Sequence, residues 1–105
     1  MRDMDSLLNK LVRENRILII SKPFCFQCDK IKDQLENTDT EYTVVNVLTI
    51  DNEYGVDALT FVNELKDTTG GTEYPFCFYG GTYIKMRDLE KKLIKFVFLE
   101  DIDEL

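Results

Sequence analysis

The stretch RILIISKPFCFQCDKIKDQL, residues 16–35, leaves the chain few folds to choose from. RILII (16–20) is a nearly continuous apolar run, which suits a central strand covered on both faces. Pro23 stops the run, and from Cys25 onward Cys28, Ile31 and Leu35 fall at helical spacing until NTDT (37–40) ends the pattern. A doubly covered strand that turns directly into a helix belongs to a layered α/β structure. The rest of the chain must then supply partner strands and the helices that cover them.

It does so in order. Met4, Leu7, Leu8 and Leu11 predict an amphipathic helix over residues 3–14. YTVVNV (42–47), β-branched and aromatic, predicts a second strand. Ala58, Leu59, Val62 and Leu65 predict a helix over about 55–67, closed by TTGG (68–71). PFCFYGGTYI (75–84) reads as two strands folded about Gly80-Gly81, which readily supply the positive φ of a tight hairpin. Leu89, Leu93, Phe96 and Val97 give a last helix. The order αβαβαββα implies a right-handed parallel crossover between the first two strands and an antiparallel hairpin at one edge. Helices would cover both faces of a four-stranded mixed sheet, which is the thioredoxin-like architecture. With 105 residues the chain holds one such domain, 1–105, and one modest core.

A composition of 44% apolar and 31% charged residues is that of a soluble globular chain, not a disordered one. No stretch approaches 18 uncharged apolar residues, so no membrane span is expected. The beginning, MRDMDSLLNKLVREN, lacks the apolar core of a signal peptide, and three cysteines are an odd number for a disulfide framework. Both point to the cytoplasm. A net charge of −7 speaks against nucleic-acid binding, which needs a basic face. Four acids crowd residues 100–105, whereas Lys22, Lys30 and Lys32 surround the cysteine pair.

That pair carries the chemistry. Residues three apart on a first helical turn lie ~5–6 Å from one another, within the reach of a disulfide. Cys25 falls where the strand ends and the helix begins, and there unpaired N–H groups and the helix dipole favour an anion. A free thiol of pKa ~8.5 is lowered at such a position, and the thiolate is the attacking species. Cys28, a turn deeper, suits the resolving role. Two buried apolar cysteines, or half of a zinc site, are the competing readings. Zinc would need more ligands than Cys77 can add in a chain without histidine, and no metal is expected. Pro75 opens the third strand; a cis bond there would set its loop against the pair and offer the backbone of Tyr74 to an extended thiol substrate. Cys77 lies between Phe76 and Phe78, so strand alternation puts it on the opposite face as a buried spacer.

Over residues 15–93 the chain resembles a glutaredoxin. ILIISKPFCFQC is similar to the family's strand-K-x-x-C-P-Y-C segment, and TGGTEYPFCFYGGTYI to its T-G-x-x-T-V-P-x-x-F-x-x-G-x-x-I segment. The resemblance implies a glutathione-dependent reducer of protein disulfides and glutathione mixed disulfides, with Cys25 as nucleophile and Cys28 as resolving cysteine. It implies that Lys22 holds the glycine carboxylate of glutathione and that the main chain of Tyr74, before cis-Pro75, pairs with the tripeptide. Asp88 falls near the acid that meets the γ-glutamyl ammonium, and Gln27, in the place of a tyrosine, completes the glutathione-binding set. Glu73 replaces a threonine and Phe26 a proline, while Lys85 and Met86 stand where the family has two glycines. A Cβ at those positions implies weaker binding of the γ-glutamyl end. The C-F-Q-C core is also similar to NrdH-type redoxins, which are recharged by thioredoxin reductase and serve ribonucleotide reductase. A further alternative is an iron–sulfur glutaredoxin, two chains sharing a cluster through Cys25 and two glutathiones. The expected partners are disulfide-bearing or glutathionylated proteins, approached by a monomer.

Overall fold

The computed structural model describes residues 6–93; the helical positions expected at Met4, Phe96 and Val97, and the acidic residues 100–105, lie outside them. Strand β1 (Ile17–Ser21) is buried along its whole length. It pairs in parallel with β2 (Thr43–Asn46) and antiparallel with β3 (Phe76–Tyr79), and β4 (Thr82–Ile84) completes the sheet order β2-β1-β3-β4. Helix α1 (Leu7–Glu14) precedes β1, and α2 (Phe26–Asn37) connects β1 to β2. Then come α3 (Ile50–Tyr54) and α4 (Ala58–Thr69), and residues 86–93 form α5. This is the thioredoxin-like arrangement expected from the element order.

The period of two in β1 divides the core between the faces of the sheet. Leu18 and Ile20 join Leu8 and Leu11 of α1, Phe61 and Leu65 of α4, and Phe76 and Phe78 of β3. Ile17 and Ile19 join Ile31 and Leu35 of α2, Cys77 of β3, and Leu89 and Leu93 of α5. Cys77 thus lies opposite the two phenylalanines, as alternation requires. Gly80 and Gly81 both take positive φ, 60° and 87°, in the turn between β3 and β4.

Two boundaries differ from expectation. Ser6 caps α1 by accepting the Asn9 N–H at 3.1 Å, so among the described residues that helix starts at Leu7. The helix expected over about 55–67 runs over Ala58–Thr69, and a short helix that was not expected, α3, precedes it. Gly55, at φ 70°, ends α3, and the Asp57 carboxylate opens α4 by accepting from the Thr60 N–H at 2.9 Å. The order is therefore αβαβααββα. Helix α3 buries only Ile50 and is too short to show a period.

Candidate active site

The parallel register places the ends of β1 and β2 together, Ser21 opposite Asn46, with the Val47 N–H donating to the Ser21 carbonyl at 3.0 Å. From that end of the sheet the chain turns through Lys22, Pro23 and Phe24 into α2. Cys25 is the N-cap of α2, in extended conformation, and its Sγ accepts the Cys28 N–H at 3.1 Å. Cys25 and Cys28 form a disulfide, their Cα atoms 5.2 Å apart. Both are buried, Cys25 at 7% exposure and Cys28 at 1%. The expected bridge and the expected strand-to-helix junction are the same place.

Of the expected site residues, Lys22 and Tyr74 are brought together. The Tyr74–Pro75 peptide is cis, and the Tyr74 ring packs edge-on against Phe76 with centroids 4.9 Å apart. The Lys22 ammonium stands 5.1 Å from the centre of the Tyr74 ring, which joins the end of β1 to the residue before cis-Pro75. Burial raises the Tyr74 phenol above its ordinary value of 10.0. Of the three lysines near the cysteines, two already have anionic partners. Lys30 meets Glu90 at 3.6 Å and Lys32 meets Asp29 at 3.4 Å, while Lys22 has no carboxylate partner among the described residues.

Gln27 is exposed on the first turn of α2. Asp88 is exposed on the first turn of α5, its N–H donating to the Lys85 carbonyl at 2.9 Å. Lys85 is exposed, whereas Met86 is half-buried and packs onto the α2–α5 core, so its side chain serves the fold. Cys77 is fully buried, and burial first, then the charge of Glu90, pushes its thiol from 9.0 to about 12. Its place in the α2–α5 core is that of a buried spacer. Among the described residues no group of three or more His, Cys, Asp or Glu is placed to hold a metal ion.

Phe24 is not among the site residues expected from the sequence. It is fully exposed at φ 56°, in the left-handed region that bulky residues avoid. Phe26, on the other side of Cys25, is 76% exposed. The only sequence signal was the pattern Phe-Cys-Phe itself, apolar on both sides of a polar-facing turn.

A family model described as Glutaredoxin matches residues 17–84. No curated protein sequence matches the chain. Among solved structures, a buckwheat glutaredoxin–glutathione complex is 21% identical, with 84% of this chain and 81% of that one covered at a TM-score of 0.67. Oxidized glutaredoxin 2 from Chlamydomonas reinhardtii is 26% identical, covering 92% and 88%, with a TM-score of 0.66. Reduced glutaredoxin C1 from Populus tremula x tremuloides is 23% identical, covering 87% and 74%, with a TM-score of 0.68.

Proposed function

The chain belongs to the glutaredoxin family, a thiol–disulfide oxidoreductase of that kind, and from this premise we propose that it draws electrons from glutathione to reduce protein disulfides and glutathione mixed disulfides. The observation that carries the reading is the bridged pair at the head of α2, with Cys25 as the capping residue. In the reduced protein the Cys25 sulfur would keep the Cys28 N–H as a donor, and a charge-assisted bond of this kind favours the thiolate. That thiolate attacks a substrate disulfide, forming a mixed disulfide and releasing one substrate thiolate. Cys28 then attacks the Cys25 sulfur, releases the second thiolate and leaves the Cys25–Cys28 disulfide. Two glutathione thiols return the pair to the dithiol and leave as glutathione disulfide.

In this reading glutathione takes up residues that have no ion-pair partner among the described residues. Lys22 offers an ammonium to the glycine carboxylate, fixed over the Tyr74 ring. The main chain of Tyr74, before cis-Pro75, would pair with the tripeptide, with Gln27 and Asp88 as the outer contacts. A glutathione complex of the buckwheat protein supports the choice of ligand. In this reading the chain works in the cytoplasm as a monomer.

The test supplies reduced protein in catalytic amount to hydroxyethyl disulfide, with either glutathione plus its reductase or thioredoxin reductase as electron source. Turnover with glutathione is expected. Turnover with thioredoxin reductase alone would replace this reading with the NrdH type.

A further inference from the structure

We propose that Phe24, Phe26 and Leu48 form an apolar collar at the disulfide that selects polypeptide disulfides with an apolar side chain beside the cysteine. The inference rests on the oxidoreductase reading above and names the substrate that the site prefers. Scattered exposed apolar residues are ordinary on a protein surface. These three share one end of the sheet. Phe24 and Phe26 are the chain neighbours of Cys25, and Leu48, 67% exposed, leaves β2 just after Val47 has bonded to Ser21 at the same end as the turn into α2. Cys25 itself, by contrast, is only 7% exposed. A substrate reaches it past two exposed phenyl rings, with Lys22 and Gln27 the exposed polar neighbours.

Phe24 adds an independent observation. It adopts φ 56°, a conformation that costs a bulky residue free energy, yet its side chain belongs to neither core. Folding gains no burial from it, so the return on that strain is a contact made outside the chain. Glutathione has no apolar side chain next to its cysteine; only a longer polypeptide does. Lys22, without a carboxylate partner among the described residues, adds a preference for an acid elsewhere in the same segment. The occupant is thus an extended, cystine-bearing segment, apolar beside the cysteine and acidic beyond it.

The electrons balance as in the general reaction. The Cys25 thiolate forms a bond to the peptide sulfur as the peptide's own S–S bond breaks, and the departing thiolate takes a proton from water. Cys28 gives up its proton and attacks the Cys25 sulfur, the Cys25–peptide bond breaks and the second peptide thiolate leaves, so the dithiol is oxidised by two electrons and the peptide disulfide is reduced by two. Glutathione restores the dithiol.

The experiment compares kcat/KM for two disulfide-linked peptides, one with leucine on both sides of its cysteine and one with serine there, with hydroxyethyl disulfide as a third substrate. Wild type should prefer the leucine peptide about tenfold, the amount that burying part of a leucine side chain against phenyl rings supplies. In the Phe24→Asn, Phe26→Gln double variant, where asparagine tolerates positive φ, the ratio should fall to about one. Equal wild-type rates for the two peptides, or a preference that survives in the double variant, overturns the collar while hydroxyethyl disulfide is still reduced. If wild type reduces none of the three substrates, the oxidoreductase reading falls and takes the collar with it.

Discussion

Three sulfur atoms on one small chain meet different surroundings, and those surroundings divide the chemistry among them. In the reduced protein, iodoacetamide at pH ~6 should alkylate Cys25 well before Cys28, and Cys77 last, because an ordinary thiol is protonated there. Mass spectrometry of the modified peptides reads the order, and equal rates would contradict an activated Cys25. Cys77 also writes a signature on stability. Unfolded, it loses its proton near 9.0; folded, buried first and facing Glu90 second, it holds on to about 12. Its contribution to stability is therefore full below pH 9 and lost as pH rises to 12, at ~1.4 kcal/mol per unit between those limits. The melting temperature of Cys77→Ala should accordingly fall less steeply than wild type across that range. Lys22→Gln should raise the KM for a glutathionylated substrate ten- to a hundredfold, the worth of a charge-assisted bond of ~1.5–3 kcal/mol. The cysteine pair, Pro75 and the burial of Cys77 were legible in the sequence because spacing and alternation are local rules. Phe24 was not, since positive φ at a phenylalanine runs against every local preference.

Between elements the most telling contact involves no hydrogen bond at all. Gly71 sits where a Cβ would come 2.6 Å from the Tyr83 hydroxyl, and the Tyr83 ring is packed near Phe76 and Phe78. A side chain at residue 71 would force the Tyr83 ring to shift. Gly71→Ala should cost ~1–3 kcal/mol, the usual range for overpacking, seen as a lower urea midpoint at unchanged slope. Tyr83→Phe removes the atom in the way, so a double-mutant cycle should return a coupling of ~0.5 kcal/mol or more, and zero coupling would sever the two positions. On the other face, Glu90 of α5 accepts from Gln34 of α2 at 2.8 Å and pairs with Lys30, tying the helix that bears the cysteines to α5. At this scale strands and long helices announced themselves by period, and the Gly80-Gly81 turn by chemistry. The break between α3 and α4 did not. Asp57 and Gly55 mark it only once the geometry shows which acid caps a helix and which glycine ends one.

For the molecule as a whole, the order β2-β1-β3-β4 puts β1 between two hydrogen-bonded neighbours and leaves β2 and β4 at the edges of the sheet. Both cores meet on β1, and its five residues are all buried. The sequence conveyed this much through RILII, whose unbroken apolar character only a doubly covered strand can use. Native-state hydrogen exchange should therefore find the slowest amides in β1, opening only with the whole molecule, while β4 exchanges through cheaper local openings. Faster exchange in β1 than in β4 would contradict this hierarchy. The disulfide follows that strand after a turn of three residues, Lys22, Pro23 and Phe24. A molecule frayed at its rim by warmth or mild denaturant would thus still present an intact electron-carrying sulfur pair, and redox competence would persist until the last cooperative event of unfolding.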